Sequence, residues 1–126
     1  MTMPVSRKSL LGLVALVLVF SAGSRWWASH SAEQVGQQIA ELAGPGEIEM
    51  LSSQTCAPCA AARDWLNTHR VRFSECTIET DAACQARHQA MGQLLMAPGT
   101  PIMLVRGQPQ LGFSPQRVLA RLSAPA

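Results

Sequence analysis

The chain has 126 residues, of which 48% are hydrophobic and 14% are charged, a balance typical of a globular protein and too apolar for a disordered one. Its formal net charge of +2 arises at the N-terminus, because residues 1–30 carry three basic residues and no acid. Residues 31–126 carry seven arginines and eight acidic residues, a net charge of −1, which argues against nucleic-acid binding.

The first 30 residues have the pattern of an export signal. Two basic residues precede a predominantly apolar run of thirteen residues, 10–22. That length suits a signal-peptide core or a short membrane anchor. Small residues before Gly23 would permit cleavage there, whereas Trp26 and Trp27 resemble the aromatic residues that lie at headgroup level beside a retained anchor. We expect a single-pass inner-membrane anchor with the rest of the chain in the periplasm. Cleavage near Gly23 and secretion to the periplasm is the alternative.

The sequence after residue 30 predicts a spacer helix and then one α/β domain. Residues 31–45 form the predicted spacer, capped by Ser31 and stopped by Gly44-Pro45. Within the domain, residues 46–126, the predicted elements are a strand at 47–51, a helix at 58–68, a strand at 71–79, a helix at 82–96, strands at 102–105 and 110–113, and a helix at 115–122. The order β-α-β-α-β-β-α predicts a mixed four-stranded sheet flanked by helices, with a parallel first pair and a closing antiparallel hairpin.

Several side chains are expected to face the core. In the first domain helix these are Ala61, Ala62, Trp65 and Leu66. The scattered methionines are expected to fill core gaps rather than to bind copper: Met50, Met91, Met96 and Met103. In the second strand the apolar phase shifts near Ser74, which predicts a bulge or an early strand end there. The three histidines are isolated, which favours helix-end or surface roles.

Cys56 and Cys59 form a C-x-x-C pair at the predicted start of a helix. Free N–H groups and the positive end of the helix dipole stabilise a thiolate there and lower the pKa of the thiol. Pro58 fits the first helical position, which needs no N–H. Cys59, one turn further on, is placed to attack a mixed disulfide between Cys56 and a substrate. We therefore predict Cys56 as the nucleophile and Cys59 as the buried resolving thiol.

Three motifs at this spacing resemble the thioredoxin superfamily, and in detail its glutaredoxin-like branch. They are "TCAPC" after the first strand, "GTP" opening the third, and "GFSPQRVLARL", all within residues 46–122. The resemblance implies a thioredoxin-like fold and a thiol–disulfide oxidoreductase with no cofactor beyond its redox-active disulfide. It also implies a cis Thr100–Pro101 bond facing Cys56. The residues that it implies as substrate contacts are Thr55, Ala57, Pro58, Thr100 and Pro101.

Two departures from the family argue against a glutathione site. Glutaredoxins that use glutathione usually carry Lys three residues before the first Cys, where this chain has Ser53, and a G-G-x-D motif that "LGFSP" lacks. The tail is more similar to glutaredoxin-like electron donors of a cytosolic reductase, which an exported protein cannot serve. Expected partners are therefore envelope thiol or disulfide proteins and a membrane or periplasmic redox partner, with a lean to the reductase direction. The alternative is a non-catalytic envelope interaction module with structural disulfides.

Cys76 and Cys84 are eight residues apart, joined by "TIETDAA". A loop of this size closes easily and an oxidising compartment favours the bond, so we expect a structural disulfide. A relay pair that exchanges with the C-x-x-C cysteines is the alternative. A zinc site is disfavoured, because the second pair lacks the C-x2-C spacing of zinc knuckles.

Overall fold

The computed structural model describes residues 4–125. Its elements are α1 (Arg7–Leu42), β1 (Ile48–Ser52), α2 (Ala57–Thr68), β2 (Ser74–Thr77), α3 (Ala82–Leu95), β3 (Ile102–Val105), β4 (Gln108–Leu111) and α4 (Pro115–Ser123). The chain divides into two compact units, Met1–Glu33 and Gln34–Ala126.

The first unit contains the apolar part of α1. Its large apolar side chains between Leu10 and Phe20 are exposed, as are Trp26 and Trp27. An 18-residue window of this helix has a mean hydropathy of 1.6 and no buried residue. By length and composition the helix can cross a membrane, although a signal sequence near an N-terminus has the same properties.

The predicted helix cap at Ser31 is wrong. Ser31 lies inside α1, and its hydroxyl donates a hydrogen bond of 2.9 Å to the Ala28 carbonyl. A cap is not needed there, because the preceding residues are themselves helical and accept the N–H groups of the next turn. The end of the helix agrees with the sequence, since α1 stops at Leu42, just before Gly44-Pro45.

The second unit contains a four-stranded sheet in the order β2-β1-β3-β4. β1 and β2 are parallel, and the other neighbours are antiparallel, as predicted. β4 begins two residues earlier than expected, because the hairpin turn consists of Arg106 and Gly107 alone. Both have positive φ, 50° and 77°, which is the type I′ geometry that suits the twist of a two-residue hairpin.

Alternate residues of the central strands fill two apolar clusters, as the two-residue period of a strand requires. Ile48, Met50, Met103 and Val105 lie in a cluster with Ile39 of α1, Ala62 and Leu66 of α2, and Val118 and Leu122 of α4. Leu51, Ile102, Leu104 and Cys84 form the other cluster, against which Met91 and Leu95 of α3 pack. Each fully buried aliphatic side chain contributes about 1.5–3 kcal/mol, so both clusters hold the sheet in place.

Three local expectations are corrected. Ala61 is exposed, because the buried residues of α2 are Cys59, Ala62 and Leu66, a spacing of three and four that leaves Ala61 on another face. Met96 is 92% exposed, since it ends α3 in the left-handed conformation and points away from the core. The phase shift at Ser74 marks the start of β2, not a bulge or an end.

Candidate active site

A short segment, residues 53–56, joins β1 to α2 and contains the first cysteine of the C-x-x-C pair. We call this segment the cysteine loop. Cys56 is the N-cap of α2, and its sulfur accepts the Cys59 N–H at 3.1 Å. Cys56 and Cys59 are linked by a disulfide with 5.2 Å between their Cα atoms. Helix α2 begins at Ala57, so Pro58 occupies the second helical position rather than the predicted first, where its missing N–H is equally harmless.

The two sulfur-bearing residues differ in exposure. Cys59 is completely buried, whereas Cys56 is partly exposed and is flanked by the exposed residues Thr55, Ala57 and Pro58. An external thiol or disulfide can therefore approach the pair only from the Cys56 side. In the dithiol form, the N–H group now pointing at the Cys56 sulfur would stabilise a thiolate there.

The sheet register places Thr100 and Pro101 beside the start of the cysteine loop. Leu51 pairs with Ile102 in antiparallel register, so Pro101 lies across from Ser52, where β1 ends. The Thr100–Pro101 bond is cis, as the resemblance implies. Pro101 is buried and its carbonyl accepts the Gly112 N–H at 2.8 Å, while Thr100 is partly exposed.

An apolar groove adjoins the C-x-x-C segment. Its volume is about 330 Å³, and it is lined by Pro58, Ala61, Ala62, Trp65, Phe113 and Pro115. Trp65 forms its wall, held between the rings of His69 at 4.0 Å and Phe113 at 5.3 Å. No local pattern predicts Phe113 as a partner of Trp65, because 48 positions separate the two residues.

An acidic side chain also reaches the cysteine loop, and it is not among the site residues that the sequence predicts. The Ser53 hydroxyl donates to the Glu79 carboxylate, and the Gln54 N–H donates to its other oxygen at 3.2 Å. The bond from Ser53 is the main cause that lowers the pKa of Glu79. A signal for this contact existed, because β1 and β2 were predicted to be parallel and the segments after parallel neighbours lie at one sheet edge.

The other two cysteines form a disulfide on the α3 side of the sheet. Cys76 of β2 and Cys84 of α3 are bonded, with 6.0 Å between their Cα atoms. Cys84 is 1% exposed and belongs to the cluster around Leu51 and Ile102. The Asp81 carboxylate caps α3 by accepting the N–H groups of Ala83 and Cys84.

His88 connects α3 to the segment that precedes the cis bond. Its Nε2 atom lies 2.8 Å from the Gly99 carbonyl oxygen, one residue before Thr100. This contact does not involve Cys84, which the sequence places one turn earlier on the same helix. Within residues 4–125, no group of three or more His, Cys, Asp or Glu side chains is close enough together to hold a metal ion.

Fold and site together define a class of protein. A mixed sheet with a C-x-x-C disulfide at the start of the helix after β1, and a cis proline at the start of the adjacent antiparallel strand, is the architecture of thioredoxin-like proteins. This architecture supports thiol–disulfide oxidoreductase activity at the level of the family.

Comparisons with known proteins agree. A family model described as Glutaredoxin matches residues 48–109. This match covers 62 of the 126 residues and supports placing the domain in the thioredoxin superfamily, in its glutaredoxin-like branch. The search of curated proteins returned no match.

Solved structures share the fold at low sequence identity. A mutant of the thioredoxin-like protein BC3987 aligns with a TM-score of 0.51 and 23% identity, over 61% of this chain and 95% of that chain. A mutated buckwheat glutaredoxin aligns with a TM-score of 0.52 and 12% identity, over 75% of this chain and 93% of that one. A glutaredoxin from Archaeoglobus fulgidus gives 0.50 and 15%, over 62% and 87%.

Proposed function

We propose that this protein is an exported, membrane-anchored thiol–disulfide oxidoreductase that reduces disulfides in envelope proteins. One observation carries the proposal: a partly exposed Cys56 at the N-terminus of α2 is bonded to a fully buried Cys59. This asymmetry supports one attacking and one resolving sulfur.

The reaction in the reductase direction needs no cofactor. The Cys56 thiolate attacks one sulfur of a client disulfide and displaces the other as a thiolate, which gives a mixed disulfide. The Cys59 thiolate then attacks the Cys56 sulfur, closes the Cys56–Cys59 bond and releases the second client thiolate. Two electrons pass to the client, and a dithiol protein at the membrane or in the periplasm must return the pair to the reduced state.

The proposed client site surrounds Cys56. The exposed residues Thr55, Ala57 and Pro58 would contact the client chain on one side of the sulfur. The partly exposed Thr100, next to buried Pro101, would offer its backbone on the other side. Glutathione is a poor candidate, because the Ser53 side chain holds a carboxylate at the cysteine loop rather than a cation.

Export and anchoring are supported by the first unit and by the cysteines. An exposed apolar helix with a mean hydropathy of 1.6 is costly in water and is suited to a single-pass inner-membrane span. Two disulfides in one small domain favour an oxidising compartment, here the periplasm. Cleavage near Gly23 would release the same domain into that compartment.

The reductase direction is supported by the negative charge of Glu79, which accepts hydrogen bonds from Ser53 and Gln54 of the cysteine loop. An anion near a thiolate disfavours the ionised dithiol state, which makes the disulfide harder to reduce and the dithiol a stronger reductant. Equilibration of the full chain with defined thiol–disulfide buffers should give a reduction potential of about −270 mV for the Cys56–Cys59 disulfide. A value near about −120 mV would reverse the proposed direction.

Trapping tests the exchange reaction itself. The Cys59→Ala variant, expressed as the full chain, should accumulate mixed disulfides with envelope proteins that dithiothreitol releases. The Cys56→Ala variant is the matched control, because it keeps the buried cysteine and loses the exposed one. If neither variant accumulates mixed disulfides, the domain is not an exchange enzyme. The alternative hypothesis of a non-catalytic interaction module then replaces the proposal.

A further inference from the structure

Glu79 is linked to the reactive cysteine through a turn. Its carboxylate accepts hydrogen bonds from the Ser53 hydroxyl and the Gln54 N–H. That same hydroxyl accepts the Thr55 N–H at 3.4 Å, and the Ser53 carbonyl accepts the Cys56 N–H at 3.4 Å. The last bond closes a four-residue turn, which keeps the Cα atoms of Ser53 and Cys56 within about 7 Å of each other.

Two arginine side chains, Arg63 and Arg117, form hydrogen bonds with groups outside the cysteine loop. Arg63, one turn after Cys59, is held by Glu75 through two bonds of 2.8 and 2.6 Å. The Arg117 guanidinium donates to the Leu111 carbonyl at 2.9 Å and lines a groove along β4. The residues of the cysteine loop are themselves uncharged, and among the hydrogen bonds within residues 4–125 the charged side chain that contacts this loop is Glu79.

We propose that Glu79 is a specificity-determining residue that favours client disulfides flanked by basic or neutral groups over disulfides flanked by anions. The proposal rests on the proposed function and narrows its substrate class. A client chain must bring its disulfide to the Cys56 sulfur, and its flanking charges then lie within about a Debye length of Glu79. Hydrogen bonds from Ser53 and Gln54 hold the carboxylate at the loop, and the bond from Ser53 is the main cause that lowers its pKa, so the group is charged at neutral pH.

The size of the effect follows from Coulomb's law. Two charges about 10 Å apart in water interact weakly, but a change from a cationic to an anionic client alters the charge on each half of the disulfide by two units, and the half nearer to Glu79 dominates the interaction. Without Glu79, the preference for the cationic client should fall by roughly fourfold at low ionic strength. The effect should shrink toward none in concentrated salt, because exposed charges are then screened.

The experiment compares three small disulfides as oxidants of the reduced full chain in a non-ionic detergent. Cystamine is cationic, 3,3′-dithiodipropionate is anionic, and bis(2-hydroxyethyl) disulfide is neutral. The measured quantity is the ratio of the cystamine rate to the dithiodipropionate rate, for the wild type, Glu79→Gln and Glu79→Lys. Dividing one protein's ratio by another's cancels the intrinsic reactivities of the two reagents.

Glu41→Gln is the matched control for net charge. Glu41 is exposed on α1, near Gly36, whose surroundings include His69 at the far end of α2. The 12 residues of α2 span about 18 Å, so this charge lies much farther from Cys56 than the Glu79 carboxylate, which is hydrogen-bonded to the cysteine loop. Its removal should change the rate ratio much less than the removal of Glu79.

The proposal predicts a lower ratio for Glu79→Gln, a still lower one for Glu79→Lys, and a neutral-disulfide rate within about twofold of the wild type. Equal ratios for the wild type and Glu79→Gln would overturn it, while the exchange function would stand. If neither variant folds, the wild type alone still tests the proposal. A ratio of the cystamine rate to the dithiodipropionate rate that does not change with salt concentration would also overturn the proposal. A wild type that exchanges with none of the three disulfides would refute the proposed function itself.

Discussion

Replacement of both Cys76 and Cys84 by Ala should destabilise the second unit without stopping exchange at Cys56. The bond between them closes a loop of about nine residues, which restricts the unfolded chain by about 2.5 kcal/mol in the chain-entropy model. Cys84 is 1% exposed in an apolar cluster, so the smaller side chain also loses some packing. A loss of about 2.5 kcal/mol lowers the folding equilibrium constant by roughly seventyfold.

The assay is urea unfolding of the full chain in a non-ionic detergent, followed by the fluorescence of Trp65. The other two tryptophans, Trp26 and Trp27, lie in the first unit and would add signal unrelated to unfolding of the domain. Both are therefore replaced by Phe in every protein compared. Trp65 then reports on its own contacts with His69 and Phe113. The urea midpoint should fall by about 1–2 M.

The matched control is Cys56→Ser, which should lose exchange with bis(2-hydroxyethyl) disulfide. It also breaks the Cys56–Cys59 bond, whose loop of about four residues contributes about 1.9 kcal/mol in the same model, so its urea midpoint should fall less than that of the double alanine variant. The double alanine variant should lose more stability and keep its exchange rate. A double variant that is as stable as the wild type but no longer exchanges would refute the reasoning. In that case Cys76 and Cys84 would pass electrons to or from the first pair.

Two further predictions concern packing and pH. Gly36→Ala should destabilise the domain by about 1–2 kcal/mol in the same urea assay, because the added Cβ would lie 2.1 Å from Cδ2 of the His69 ring. In a His69→Ala background the same change should stabilise instead, by up to about 1 kcal/mol from helix propensity, and a loss in both backgrounds would contradict this contact. A hydrogen bond from Arg87 is the main cause that lowers the pKa of Glu49 in the folded protein below its ordinary value of 4.5. The ion pair therefore contributes its full stability above the pKa of Glu49 in the unfolded chain. That stability is lost as the pH falls through the lower pKa of the folded protein. Glu49→Gln should therefore flatten the loss of stability in acid, and an unchanged acid limb in urea titrations would refute the assignment.

The order of elements could be read from the sequence because each one carries a local signal. Ser114 followed by Pro115 marks the start of α4, where the Ser114 hydroxyl does accept the Arg117 N–H at 3.4 Å. Asp81 caps α3 in the same way. The apolar run at 102–105 fits a strand that is buried on both faces, as β3 is. These features depend on residues only a few positions apart.

The predictions that were wrong or missing concern features that depend on residues far apart in the sequence. Ala61 and Met96 are apolar, so composition assigned them to the core, but their direction depends on the helix face and on the helix end. The bond between Ser53 and Glu79 spans 26 positions, and no local pattern selects that pair. Gly36 was likewise unremarkable in sequence, although its missing side chain makes room for the His69 ring.

The segment between Cys76 and Cys84 links the second disulfide to the carboxylate that contacts the cysteine loop. Its bonded end residues tie it to β2 and α3, and the Thr77 carbonyl accepts the Thr80 and Asp81 N–H groups within it. Glu79 projects from this closed turn to the cysteine loop, so the disulfide restrains the position of the carboxylate. A looser turn would still leave Cys56 at its helix N-terminus, where the exchange chemistry takes place. The double alanine variant should therefore lose part of its preference for cystamine over dithiodipropionate while its rate with the neutral disulfide persists.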